Sequence, residues 1–150
     1  RRQRQMCIRD RNKMIKESDI QNYLYARNIP YTDHASIYAV ILPKYSFMRT
    51  MMATMLEVQH FVIHFGRTGI SVIVVNDLTG RLDLYGFLFF PGERIQSVQF
   101  FRRVTHDQLV IRLTDGVRVY RVNKRMMMLP WHKSNLKALT YKSPVYYNQC

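Results

Sequence analysis

Cysteine is scarce in this chain of 150 residues, which carries only Cys7 and Cys150. One lies near each end, so the long stretch between them can form neither an internal disulfide nor a cysteine-based zinc site. Long apolar runs are also missing. A membrane-spanning helix needs about 18 consecutive apolar residues, and His64, Arg67 and Asp77 interrupt the most apolar region. The sequence therefore predicts no transmembrane segment in this chain.

The residue patterns of common enzymes are absent as well. The chain has six glycines, and they form neither a phosphate-binding loop nor a nucleophile elbow. Carboxylates occur singly, and His106 and Asp107 are expected in a solvated turn. His60 and His64 are both in one predicted strand, where their backbones would be roughly 13 Å apart, too far to share a metal ion. These absences predict a protein that is not an enzyme and has no metal or other cofactor.

Negative charge is in short supply, since 23 Lys and Arg outnumber 10 Asp and Glu and the formal net charge is +13. Residues 1–11 contain five arginines and one aspartate. This segment lacks apolar periodicity, and its back-translation resembles a transposon-based sequencing adapter, so we expect it to be non-native. The other residues keep a net charge of +9. That excess favours anionic partners such as phospholipid headgroups or nucleic acid.

Short segments rich in β-branched and aromatic residues dominate what is present, and turn residues separate them. Asp115 and Gly116 are the strongest of these hairpin signals. The pattern predicts an antiparallel bent barrel or sandwich of six strands, or of seven if Ile37–Leu42 adds one. The six predicted strands are His60–Phe65, Ile70–Val75, Leu82–Phe90, Ile95–Phe101, Gln108–Thr114 and Val117–Val122.

Helical patterns flank these strands, so the predicted fold class is α+β, mostly β. A capping box over 18–21 starts one short helix, and Met48, Met51, Met52 and Met55 have the spacing of a second. Pro130 suits the start of a C-terminal helix. We expect that helix to cap the open end of the barrel through Trp131, Leu136 and Leu139. The predicted organisation is a helical lead-in over 12–36, one domain over 37–142 and a tail over 143–150.

Arginine is concentrated in the second half of the chain, among aromatic residues. Arg118 and Tyr120 share one face of a predicted strand, while Arg112 lies on the mixed face of the neighbouring strand. Such residues could hold phosphates or stack bases, or they could form the solvated side of a half-buried sheet. The candidate anion or partner face comprises Arg67, Arg112, Arg118, Tyr120 and Arg121.

The order of these segments resembles a bacterial pleckstrin-homology-like (PH-like) domain related to the GRAM group. The resemblance covers about residues 59–141. It rests on Gly69–Ile73 with the turn at 76–80, on Pro91 with Arg94–Val98, on the strand and turn over 109–116, and on Pro130–His132 with Asn135–Leu136. The resemblance implies lipid-headgroup or protein binding and no catalysis. Members that bind phosphoinositides carry several basic residues in and beside the first hairpin loop, where this chain has only Arg67.

These observations together predict a non-enzymatic PH-like binding or scaffold module. The expected ligand is a protein partner or an anionic membrane surface, and the expected location is the cytoplasm, in solution or on a membrane. Two alternatives from other classes stay open. One is a nucleic-acid-binding β-barrel that uses the arginine-rich face, and the other is a barrel that binds a small ligand in its cavity.

Overall fold

A computed structural model describes residues 14–41, 58–126 and 128–142 of the chain. These residues form seven antiparallel strands in a single sheet, two α-helices and one turn of 3₁₀ helix at Gly92–Arg94. In chain order the elements are α1 (Glu17–Tyr25), β1 (Ser36–Ile41), β2 (Gln59–Phe65), β3 (Gly69–Val75), β4 (Leu82–Pro91), β5 (Ile95–Arg102), β6 (His106–Leu113), β7 (Gly116–Asn123) and α2 (Pro130–Lys142).

The mostly β fold with a C-terminal helix is confirmed, and all six predicted strands are present with ends shifted by at most two residues. The seventh strand is β1, at the place predicted for it. The predicted methionine helix, the segment 1–11 and the tail over 143–150 lie outside the described residues. Two predicted turns were misplaced. His106 and Asp107 belong to β6, and the β6–β7 turn is formed by Thr114 and Asp115, one residue earlier than expected.

The strand order is β4-β3-β2-β1-β7-β6-β5. No described strand pairs with the outer edge of β4 or β5, so the described sheet is open and the barrel of the predicted barrel or sandwich is not closed. The closure fails because a barrel requires its two end strands to pair with each other.

The main core fills one face of this sheet, here called the inner face. Alternate residues of the strands supply it, as the period of two requires. In β6, for example, Leu109, Ile111 and Leu113 are buried in this core, as the alternation predicted. Leu136 of α2 is also a member, and Leu139 packs against it. These two helix residues therefore pack on the main core, although the barrel whose open end they were predicted to close is not formed.

Strands β1 and β7 pair at a single position, Val40 with Arg121, and α2 supplies hydrogen bonds beside it. The backbone N–H of Tyr38 donates to Nδ1 of His132 (3.0 Å), so Nε2 of that ring carries the proton and donates to the carbonyl of Asn123 (2.6 Å). Asn135 donates to the carbonyl of Ser36 (3.0 Å). Helix α2 is thus joined to the sheet by side chains that replace missing strand-to-strand bonds.

A second core covers the outer face of β2 and β3. Helix α1 places Ile20, Tyr23 and Leu24 there, as predicted. Trp131 belongs to this second core and donates from Nε1 to the carbonyl of Ile15 (2.8 Å). The expectation that Trp131 packs with Leu136 and Leu139 at one end of the same core was therefore wrong. Leu136 and Leu139 of α2 pack on the main core, whereas the first turn of α2 packs in the second core.

Helix α1 has its N-cap at Lys16, two residues before the predicted N-cap Ser18. The backbone N–H of Lys16, at the N-cap, donates to the carboxylate of Asp19 (2.9 Å). Ser18 already lies inside the helix, so its predicted capping role was wrong. The helix ends before Pro30, and Asn28 adopts a positive φ of 58° beyond its end. Such a left-handed residue is a common way to terminate a helix.

Candidate functional site

Among the described residues, the outer face of the sheet is covered in one half and left uncovered in the other. Strands β2 and β3 lie under α1, whereas no described element packs on the outer face of β5, β6 and β7. Their pairing places nine side chains on that face in three rows. We call this surface the outer patch, and its rows are Ser97–Arg112–Val117, Gln99–Val110–Val119 and Phe101–Gln108–Arg121, where dashes join cross-strand neighbours.

The outer patch contains four apolar side chains among its nine residues. Phe101 is 44% exposed, Val117 is 50% exposed and Val119 is 45% exposed. Val110, in the centre, is buried and belongs to neither core. Neighbouring apolar side chains that are exposed on a sheet make this surface a candidate for contact with a partner.

Charge on the outer patch has one sign. Arg112 is exposed and Arg121 is partly exposed, and the other seven residues are uncharged. Arg121 donates to the neutral side-chain oxygen of Asn123 (3.4 Å). The carboxylate of Asp115, in the turn between β6 and β7, pairs with Arg94 (2.6 Å).

The arginine-rich face predicted from the sequence is divided by the structure. Arg112 and Arg121 lie on the outer patch, but Arg118 and Tyr120 pair with Ile111 and Leu109 on the inner face. Tyr120 is 2% exposed in the main core, so it cannot stack on a partner. Its burial raises the pKa of its hydroxyl, which the charge of Arg118 lowers to a smaller extent.

Arg67, the fifth residue of the predicted face, lies elsewhere. It is exposed in the loop between β2 and β3, which are covered by α1 on their outer side. The grouping of these five residues into one face was therefore wrong, because strand parity and loop position separate them. The candidate face predicted from the sequence did not include Phe101, Val117 and Val119. For Val117 and Val119, the signal that could have identified them is the alternation along β7, which places them on the face opposite to the core residue Tyr120.

A shallow pocket of about 400 Å³ lies on the outer side of the sheet, where β1, β2 and β3 end. Tyr38 and His60 line it with ring centroids 5.8 Å apart, and His60 Nε2 is 3.7 Å from the carboxylate of Asp77. Burial, and then the charge of Asp77, raise the pKa of Tyr38 to about 12. The pocket lies outside the sheet, and the interior that a ligand-binding barrel would leave empty holds the main core.

His60 and His64, which were predicted to be too far apart to share a metal ion, have separate environments. His64 is fully buried, accepts from the backbone N–H of Thr32 (3.2 Å) and therefore donates from Nδ1 to Ser36 Oγ (2.8 Å). Burial lowers the pKa of His64 to about 4. Among the described residues, no three His, Cys, Asp or Glu side chains are placed to hold a metal ion. Asp107, expected in a solvated turn, is buried on the inner side of β6, 3.9 Å from the Lys124 ammonium.

Comparison with known proteins gives no relative: the chain matches no protein-family model, no curated protein sequence and no solved structure. No helix in the described ranges is long and apolar enough to cross a membrane.

Proposed function

We propose that this chain is a non-enzymatic binding module of the PH-like type and that its ligand is a segment of a protein partner held on the outer patch. The observation that carries the proposal is the contrast between the two halves of one sheet. The outer side of β2 and β3 is covered by α1, and the outer side of β5 to β7 presents Phe101, Val117 and Val119 to solvent.

Two further features support a binding role. Seven antiparallel strands followed by one helix that packs on the core are what the resemblance to PH-like domains implies. The main core also draws residues from all seven strands, which favours the outer face of the described sheet as the place for a ligand. A protein partner is favoured over a lipid surface because all four apolar patch residues lie on strands and none lies on a protruding loop that could insert.

A random peptide display library tests this proposal. The full chain is compared with a patch variant, Phe101→Gln/Val117→Thr/Val119→Thr, which keeps β-branched residues on β7. A matched control, Leu78→Thr/Leu84→Thr/Tyr85→Gln, makes the same kind of change at exposed apolar residues outside the patch. We expect a set of peptides to bind the wild type and the control, and to lose at least roughly tenfold in affinity for the patch variant.

Three outcomes would overturn the proposal. The first is the absence of any peptide whose binding depends on the patch, with thermal melts showing that all three proteins are folded. The second is submicromolar binding of single-stranded DNA or RNA at physiological salt, which would favour the nucleic-acid alternative. The third is patch-dependent pelleting with phosphatidylserine vesicles in the absence of peptide binding, which would favour a membrane surface.

A further inference from the structure

The covered half of the sheet shows what kind of element its outer face accepts. There, the nine-residue helix α1 packs Ile20, Tyr23 and Leu24 on the strand residues Val62 and Ile73. The outer patch offers β-branched residues on two neighbouring strands, Val110 on β6 with Val117 and Val119 on β7, and the ring of Phe101 on β5. A helix has a diameter of about 10 Å, which matches the width of three strands spaced about 4.8 Å apart. A helix that lies along the strands therefore has a suitable width to cover the patch.

Charge complementarity sets the second property of the ligand. Arg112 and Arg121 are the ionisable residues of the outer patch, and no carboxylate lies among its nine residues. Desolvating two guanidinium groups against a purely apolar ligand would be unfavourable, whereas carboxylates on the ligand would pair with them. A basic or neutral segment would leave both charges without partners.

From these two features we infer that the outer patch binds an amphipathic helix of a protein partner whose apolar stripe is flanked by carboxylates. The inference rests on the proposed function and specifies its ligand. Arg112 and Arg121 lie in the first and third rows, which are four residues apart along the strands and so separated by ~13 Å. A helix lying along the strands rises 1.5 Å per residue, and its two acidic groups should be roughly nine residues apart.

The size of the patch predicts a weak, reversible complex. Nine side chains are well below the roughly 20 to 30 residues per partner of a standard interface. We expect dissociation constants on the order of 1 to 100 µM, as in transient recognition of short segments. Because two charge pairs contribute, the affinity should fall as salt concentration rises.

A designed library of helical peptides tests the inference. Each peptide carries apolar residues at helical spacing, and its flanking positions vary among Glu, Gln and Lys. Against the full chain we expect Glu to be enriched over Lys by roughly tenfold at two flanking positions about nine residues apart. The double reversal Arg112→Glu/Arg121→Glu should invert this preference and select Lys at the same two positions.

The matched control is Arg67→Glu/Arg81→Glu, which makes the same change in net charge at exposed residues away from the patch. It should leave the preference for Glu unchanged. Patch-dependent peptides with no acidic bias would overturn this inference and leave the proposed function standing. Equal loss of preference in the control would also overturn it, since the bias would then reflect net charge alone. The absence of any patch-dependent peptide would overturn the proposed function itself.

Discussion

At the scale of single residues, the two buried histidines hold the backbone together in their neutral form. His132 accepts from Tyr38 and donates to Asn123, and thereby links β1 to β7 beside their single paired position. His64 joins Thr32 to Ser36 and stacks on Tyr31, with ring centroids 5.0 Å apart. In both rings one nitrogen must stay unprotonated to accept a backbone N–H, so a second proton would break the network.

This arrangement predicts that the protein loses stability in mild acid. Burial lowers the pKa of His64 to about 4 and also lowers the pKa of His132. The unfolded chain takes up these protons near pH 6.5, and the folded state does so only at lower pH, so the free energy of unfolding should decrease from pH 7 towards pH 4. For His64 alone we expect a loss of about 2 kcal/mol between pH 7 and 5, measured by urea unfolding.

The variant His64→Asn isolates this contribution, because its amide can still donate to Ser36 but does not titrate. Its stability should be lower at pH 7 but should depend less steeply on pH than the wild type. An unchanged slope in the variant would contradict the assignment of the acid sensitivity to His64.

Two glycines should differ sharply in what replacement costs. A Cβ on Gly69 would lie 2.1 Å from the backbone oxygen of Phe90, in the paired region of β3 and β4. Gly80 has a φ of +66° but open space around it. We expect Gly80→Ala to cost about 1 kcal/mol, from backbone strain alone. Gly69→Ala should cost more than about 3 kcal/mol in urea unfolding, because neither strand can move away without losing its pairing. Equal costs at the two positions would contradict this account.

At the scale of elements, each strand of the covered half serves two cores. In β2, Phe61, Ile63 and Phe65 face the main core while Val62 faces the second. The second core is closed by α1 and by the first turn of α2, where Trp131 packs. Tyr23 adds a bond from its hydroxyl to the carbonyl of Asp83 (2.6 Å), so α1 is also tied to β4.

The contribution of Trp131 can be measured directly. Trp131→Ala should lower the free energy of unfolding by about 3 kcal/mol, because it removes a large buried ring and leaves a cavity between α1, α2 and the sheet. Trp131→Phe should cost less, since it retains most of the ring volume and loses the bond to Ile15. Tyr141→Ala, at an exposed position of the same helix, should change stability by at most about 0.5 kcal/mol. A cost below about 1 kcal/mol for Trp131→Ala would show that the second core contributes little.

At the scale of the whole molecule, the shared strands should make folding a single cooperative event. The main and second cores lie on opposite sides of β2 and β3. Neither can be exposed without disturbing the strands that carry the other. Domains of this size commonly unfold in one transition when their cores are coupled in this way.

The single tryptophan provides the measurement. Trp131 fluorescence reports on the second core, and far-ultraviolet circular dichroism reports on the whole sheet. We expect the two signals to give the same midpoint and slope in urea. Loss of the fluorescence signal at lower urea would mean that α1 and the start of α2 separate from a sheet that remains folded.

Much of the fold followed from local patterns. The period of two in segments such as Leu109–Leu113 identified both the strand and its buried face, because burial on one side of a sheet imposes that period. The helical face of Ile20, Tyr23 and Leu24 and the start of α2 at Pro130 were predicted for equally local reasons. Turn positions were less certain, since the chain from Leu113 to Gly116 can close a hairpin at either of two adjacent pairs of residues.

The sequence by itself determined the class of fold, most strand positions and the basic, cysteine-poor surface, since these depend on periodicity and composition. Tertiary structure alone decided which faces are covered. Strand parity placed Arg118 and Tyr120 opposite to Arg112 and Arg121, and the position of α1 left Val117 and Val119 open while covering Val62 and Ile73. The open sheet and the second core around Trp131 likewise depend on contacts between residues far apart in the chain, for which a local pattern contains no signal.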